Sequence, residues 1–222
     1  MSAAFVIEPS LAEIIEIFTI NHPSNRRICP VCGLVKRSVV RCMQQVYSEM
    51  INEPKLRAEV RSRLGFCQRH SDLATTVGDP LGNSILFADL VHHSKAEFAP
   101  TSNISRRVVK QPTYTCTYCD VEHDAQTRYL HALTDGLNSM HGLWDKLENS
   151  PAILCVAHAR RLVRLLNKEL VPQFNKIYLI QLEKLEDDLK EFIRKNDYRS
   201  IGETLGDEQL AWQQAISLFS KK

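Results

Sequence analysis

The sequence lacks long apolar runs, strand-like alternation and glycine-rich loops, and each absence excludes a class of protein. No stretch of about 18 apolar residues occurs, so no membrane-spanning helix is predicted. Glycine is scarce, at 8 of 222 residues. Neither a phosphate-binding glycine loop nor a Ser/His/Asp or Cys/His catalytic arrangement can be recognised, so the sequence does not favour an enzyme. Without alternation of apolar and polar residues, the fold is predicted to be all-α.

An excess of one charge is also lacking. Lys and Arg number 28 against 26 Asp and Glu, a net charge of +2, so bulk charge gives no reason to expect nucleic acid or an anionic membrane. No basic leader precedes the first apolar residues, and Glu8, Glu13 and Glu16 interrupt them, so no secretory signal is expected. The expected location is the cytoplasm, where seven cysteines are better explained as metal ligands or thiols than as three disulfides and one free cysteine.

One cysteine pattern occurs twice. Cys29-Pro-Val-Cys32 is followed by Cys67-Gln-Arg-His70, and Cys116-Thr-Tyr-Cys119 is followed by Cys155-Val-Ala-His158. The second set lies 87 or 88 residues beyond the first. Each set offers three thiolates and one imidazole, the donor composition of a closed tetrahedral zinc site. The predicted metal ligands are Cys29, Cys32, Cys67, His70, Cys116, Cys119, Cys155 and His158.

Each set is expected to bind one ion and so to fasten the start of one helix to the start of the next. Pairing within a half follows chain order, but spacing alone leaves pairing across the halves open. Sulfur-rich donors with one imidazole favour zinc, and an iron–sulfur cluster is the alternative. His123 could replace His158 as a ligand. Gly33 after Cys32 indicates a zinc-ribbon knuckle with a positive φ, whereas Asp120 after Cys119 does not, which would make the second set the more labile one.

Helical periodicity predicts a duplicated helical unit. The first half, residues 1–99, would hold the first Cys3His site, and the second half, residues 116–222, the second, with a loop linker at 100–115, although one compact domain is also compatible. Breaks are predicted at Asn52-Glu53-Pro54, Gly65, Gly78-Asp79-Pro80 and Thr134-Asp135-Gly136.

The ends of the chain carry further helical patterns. Ser10 and Glu13 indicate a capping box at the start of a first helix. A long helix is predicted from Ser150-Pro151 to Lys195, with a kink at Pro172. A tail helix is predicted over residues 206–219.

The motifs Cys29-Pro-Val-Cys32 and Gly65-Phe66-Cys67-Gln68-Arg69-His70, with the tail segments Arg194–Tyr198 and Trp212–Ile216, resemble an uncharacterised prokaryotic family. That family consists of helical domains of unknown function with paired CPxC and GFCxxH motifs. The resemblance covers about residues 28 to 219 and implies the metal ligands by position. It implies no activity, and Cys116-Thr-Tyr-Cys119 and Leu154-Cys155-Val-Ala-His158 depart from its form.

These observations favour a metal-binding protein with two structural Cys3His sites and a non-enzymatic role in interaction or regulation. The alternatives are a redox protein, by iron–sulfur electron transfer or thiol-based sensing, and a nucleic-acid-binding regulator, for which clustered arginines are the weak signal. The expected partner is another protein or a second copy of the chain. It would bind through the apolar seam of the long C-terminal helix, unless that seam is internal core. No membrane partner is expected.

Overall fold

The computed structural model describes residues 8–19, 29–97, 116–200 and 202–220, and every regular element in these ranges is helical. The prediction of an all-α fold is confirmed for them. The helices are α1 (Pro9–Thr19), α2 (Pro30–Gln45), α3 (Pro54–Ser62), α4 (Gln68–Val77), α5 (Pro80–Glu97), α6 (Thr117–Ser139), α7 (His141–Asn149), α8 (Val156–Leu165), α9 (Val171–Lys195) and α10 (Ala211–Phe219). A π-helical turn, Val46–Met50, extends α2. Within the described residues, no helix has both the length and the apolar character needed to cross a bilayer.

Two compact units make up the chain. One combines Met1–Leu34 with Gln126–Lys222, and the other is Val35–Ala125. These units use segments other than the proposed halves, 1–99 and 116–222, and the internal duplication stays a prediction. The proposed linker, residues 100–115, lies outside the described residues.

The first unit has a core of aliphatic and aromatic side chains. Ile14 and Phe18 of α1 are buried, and α1 contacts α7, where Trp144 donates its indole N–H to the carbonyl of Leu137 over 2.9 Å. On α9, Phe174 and Leu185 are buried, the latter in a cluster with segment 153–156 and α10. The apolar seam of the long C-terminal helix is therefore internal core.

The second unit packs α2, α4 and the start of α6 around one apolar cluster. Val39, Met43, Ala74, Cys116 and Tyr118 form its buried centre. Phe66 and Cys67 pack against this centre from the turn before α4. This cluster brings Cys67, just before α4, beside Cys116, just before α6.

Several predicted helix ends are confirmed. Gly65 follows α3 with φ +93° and donates its N–H to the carbonyl of Val60, which closes the helix in the left-handed conformation that glycine adopts without strain. Helices α4 and α5 meet at Gly78-Asp79-Pro80. The tail helix is present as a 3₁₀ turn, Asp207–Leu210, followed by α10.

Other predicted boundaries are wrong. Helix α6 runs through Gly136 without a break, because the missing side chain makes room for Leu11 and Leu143, whose methyl groups lie 2.8 Å from where a Cβ would stand. No helix begins at Ser150; the chain has no regular structure from there to Cys155, and α8 begins at Val156. Pro172 stands in the first turn of α9, where its missing N–H costs no hydrogen bond, rather than at a kink.

The predicted capping box is also absent from α1. The helix begins at Pro9, and the carboxylate of Glu8 accepts the N–H of Leu11 over 3.0 Å. Glu13 instead accepts a hydrogen bond from the hydroxyl of Tyr129 on α6. The prediction of a capping box formed by Ser10 and Glu13 is therefore wrong.

Candidate metal centres

All four cysteine motifs lie at the starts of helices, as the sequence predicts. In each motif the first cysteine immediately precedes the helix and the second ligand is the third helical residue, in α2, α4, α6 and α8. Cys67 and Cys155 have the extended backbone of an N-cap, with ψ 159° and 154°. This geometry directs two side chains from each helix start toward one point. The partial positive charge of each helix N-terminus also favours thiolate there.

The zinc-ribbon knuckle predicted for the first motif is wrong. Gly33 lies inside α2 and donates its N–H to the carbonyl of Cys29 over 2.9 Å, an ordinary helical bond. Among the described glycines, only Gly65 and Gly202 have positive φ. The two CxxC motifs therefore share one helical geometry, and the expected difference between them is not found.

The first cluster consists of Cys29, Cys32, Cys155 and His158. Its four ligand atoms lie within 4.8 Å of one another. The Nδ1 atom of His158 is 3.4 Å from the sulfurs of Cys29 and Cys32 and 3.2 Å from that of Cys155. The sulfurs of Cys32 and Cys155 are 3.8 Å apart.

The second cluster consists of Cys67, His70, Cys116 and Cys119. The three sulfur–sulfur separations are 3.7, 3.7 and 3.8 Å. The Nδ1 atom of His70 lies 3.3, 3.2 and 3.6 Å from the sulfurs of Cys67, Cys116 and Cys119. Ligands from two helix starts thus converge on one point in each cluster.

The expected pairing within each half is wrong. The first motif of the chain joins the last, and the two middle motifs join each other. The apolar cluster around Met43 packs Cys67 beside Cys116, which brings the two middle motifs together.

Both clusters match the dimensions of a tetrahedral ion. Zinc bonds of about 2.3 Å to sulfur and about 2.0–2.1 Å to nitrogen place two sulfurs about 3.8 Å apart, and sulfur and nitrogen about 3.6 Å apart. The observed separations are 3.7–3.8 Å and 3.2–3.6 Å. A disulfide needs sulfurs about 2.05 Å apart, and all seven cysteines are free. The structure thus favours metal ligands over the alternative of three disulfides.

The thiols of each cluster differ in acidity. Burial raises the pKa of Cys29 well above its usual value, whereas the pKa of Cys155 is lowered because its sulfur accepts hydrogen bonds from Cys29 and Cys32. In the second cluster, burial raises the pKa of Cys119 to about 11. Burial acts in the same direction on Cys67, but the backbone N–H of His70 and the neighbouring thiols lower its pKa overall. In each cluster one thiol, Cys155 or Cys67, has a lowered pKa, and a bound cation would favour the ionised form of every sulfur that it ligates.

In each cluster a side chain of α6 faces the Nε2 atom of the histidine, and an arginine contacts that side chain. Glu122 lies 3.7 Å from Nε2 of His70 and is itself paired with Arg69. In the first cluster, Gln126 contacts Nε2 of His158 at 2.5 Å and accepts a hydrogen bond from Arg161. A histidine that ligates through Nδ1 carries its proton on Nε2; Glu122 places a carboxylate on that side of His70, whereas the Gln126 oxygen is taken by Arg161 and its amide nitrogen faces His158.

Sequence reasoning missed these outer contacts. From the sequence, Arg69 and Arg161 are only members of arginine clusters, and nothing there singles out Glu122 or Gln126. The sequence feature that could have identified Glu122 and Gln126 is their spacing. They are polar, lie one helical turn apart, and follow Cys119 by three and seven positions. His123, the considered alternative to His158, is exposed and belongs to neither cluster. Cys42 is half-buried against the apolar cluster of the second unit, as a small hydrophobic residue.

Fold and clusters define a helical protein with two Cys3His groups that could each hold a metal ion. The chain belongs to a family of unknown function, DUF6062, which matches residues 12–222. It is 23% identical over 198 residues to an uncharacterised 23.9 kDa protein in the xynA 3′ region of Caldicellulosiruptor sp. (strain Rt8B.4), covering 86% of this chain and 94% of the relative. No solved structure matches the chain. The resemblance to an uncharacterised family is confirmed.

Proposed function

We propose that this protein binds two zinc ions as structural clamps and acts as a non-enzymatic interaction or regulatory module. The observation that carries the proposal is the second cluster, in which all six separations between ligand atoms, 3.2–3.8 Å, are those of a tetrahedral site. Three sulfurs and one imidazole suit zinc better than magnesium, calcium or manganese, which prefer oxygen ligands. The single imidazole also distinguishes each cluster from most iron–sulfur sites, which use four cysteines.

A structural role is favoured over a catalytic one because each cluster supplies four protein ligands. Catalytic zinc sites keep one coordination position for water or substrate. A zinc ion here would link two helix starts that are far apart in the chain, such as those at Cys29 and Cys155. Its binding free energy would then contribute directly to the stability of the fold.

Metal analysis and absorption spectra of anaerobically purified protein test this proposal. The expected result is a colourless protein with two equivalents of zinc per chain. Exchange of zinc for cobalt should produce the intense visible bands of tetrahedral Co²⁺ with thiolate ligands. The Cys67→Ser and Cys155→Ser variants should each lose one equivalent, and Cys42→Ser should lose none.

Other results would contradict the proposal. A brown protein with iron and labile sulfide would support the electron-transfer alternative. Fewer than two equivalents of any metal in protein kept strictly anaerobic, with no gain on reconstitution, would exclude two clamps. A metal ion that keeps an exchangeable water in its coordination shell would argue against a closed structural site.

A further inference from the structure

The solvent-facing side of α9 carries two neighbouring aliphatic residues in the middle of a long helix. Leu179 is 55% exposed and Ile180 is 46% exposed, whereas Phe174, Ile177 and Leu185 on the opposite side are buried. A second surface that covers these two aliphatic side chains would remove apolar area from water, which is favourable. The outer face of α9 therefore has an apolar centre.

Opposite charges flank this centre at equal spacing. Lys176 stands three residues before Leu179, and Glu183 stands three residues after Ile180, so all four lie on one helical face. Within the described part of the chain, neither Lys176 nor Glu183 has an ion-pair partner. By contrast, Lys190 further along the same helix pairs with Glu186 at 2.7 Å.

This face is complementary to itself in one arrangement. If two copies of α9 cross antiparallel with a two-fold axis between Leu179 and Ile180, each Leu179 meets an Ile180. Each Lys176 then meets the Glu183 of the second copy, and symmetry produces that pair twice. A parallel pair would oppose like charges at every position.

Neighbouring antiparallel registers are excluded by the same charges. A shift that centres the axis on Glu183 sets Lys176 against Lys190 and Glu183 against Glu183. A shift that centres it on Lys176 sets that lysine against itself. Like charges directly opposed destabilise an interface, so of these three registers the one centred between Leu179 and Ile180 is favoured.

We propose that the outer face of α9, around Lys176, Leu179, Ile180 and Glu183, is the interface of an antiparallel homodimer. The proposal is independent of the metal sites, since it uses no ligand and no residue that contacts one. The exposed stripe of Trp212, Ile216 and Phe219 on α10 is larger, but it has no charge pattern that selects a partner.

Charge-swap variants of the full chain test the proposal, with the dimer dissociation constant measured by analytical ultracentrifugation at low salt. Lys176→Glu and Glu183→Lys should each raise the dimer dissociation constant by roughly tenfold or more, because each change turns two attractive ion pairs into two repulsive ones. The double variant Lys176→Glu/Glu183→Lys should restore it. An equimolar mixture of the two single variants should form heterodimers, since every charged pair in the mixed dimer is then attractive.

Lys184→Glu is the matched control. Lys184 lies on the same helix but lines the cavity beside Gln181 and Gln214, so its reversal should leave dimerisation unchanged. A chain that stays monomeric at all concentrations would overturn the proposal. A dimer that tolerates both single charge reversals would also overturn it. If that dimer were then lost in Ile216→Asp, the interface would lie on α10 instead.

Discussion

At the scale of single residues, both clusters use the same support for the histidine. One side chain of α6 contacts Nε2, and one arginine holds that side chain: Glu122 with Arg69 and Gln126 with Arg161. Since the side chain that faces a ligating imidazole fixes its tautomer and orientation, these four residues should matter nearly as much as the ligands. The carboxylate at one cluster and the amide at the other should make the two imidazoles differ in basicity.

Replacing Glu122 with alanine should weaken metal binding at the second cluster by about 10- to 100-fold, because the carboxylate that lies 3.7 Å from Nε2 of His70 and favours a proton there is lost. Competition against a chelator of known affinity measures the effect. Asp124→Ala, an exposed change on the same helix, is the control and should leave affinity unchanged. Equal affinity in Glu122→Ala and Asp124→Ala would show that the carboxylate has no part in the site.

Replacing a ligand should cost stability. Cys67→Ser or Cys155→Ser should lower the free energy of unfolding by about 3 kcal/mol or more, because binding free energy at such sites is folding free energy. For a chain of this size the melting temperature should fall by on the order of 10 °C. Cys42→Ser, outside both clusters, should change it by only a few degrees. An unchanged melting temperature together with a lost thiol–redox response would indicate a reactive centre.

At the scale of helices, the sequence correctly predicts a helix end where local backbone chemistry determines it. The prediction is wrong where a contact with a residue far away in the chain determines whether the helix continues. Gly65 ends α3 because its positive φ is intrinsic to that turn. Gly136 looked like the same signal, yet it lies within α6 because Leu11, more than a hundred residues away, packs against it. Candidate ligand types follow from residue identity, but their pairing depends on the packing around Met43, which joins residues far apart in the chain.

Two helix glycines form a matched test of this distinction. Gly82 in α5 and Gly142 in α7 both lie in the first turn of a helix, but a Cβ at Gly82 would stand 2.6 Å from the Tyr47 ring, and one at Gly142 meets nothing within 4 Å. Tyr47 is held by a hydrogen bond from its hydroxyl to Asn83. Gly82→Ala should therefore destabilise by about 1–3 kcal/mol.

Gly142→Ala should instead be neutral or stabilise by up to about 1 kcal/mol, because alanine only restricts the unfolded chain there. Urea unfolding with metal-saturated protein compares the two variants. If they have equal free energies of unfolding, the close approach of Tyr47 is not a packing constraint.

At the scale of the whole molecule, the two clusters differ in exposure. Cys29, Cys155 and His158 of the first are at most 3% exposed, and only Cys32 is half-buried. In the second, Cys67 and Cys119 are both half-buried. A chelator or oxidant therefore reaches two sulfurs of the second cluster but one of the first.

Metal release to an excess of chromogenic chelator should accordingly be biphasic, with one equivalent in each phase and the second cluster releasing first. Cys67→Ser should lack the fast phase and Cys155→Ser the slow one. A single phase in the native protein, or loss of the fast phase in Cys155→Ser, would contradict an assignment by exposure.

The nested pairing of the motifs also sets an order on synthesis. All four residues of the second cluster are present once the ribosome has released Cys119. In the first cluster, Cys32 must wait for Cys155, which is made 123 residues later. At about 5–20 residues per second this delay is roughly 6–25 s. During that time Cys29 and Cys32 lack the other two members of their cluster, so these two thiols stay open to oxidation until Cys155 and His158 have been made.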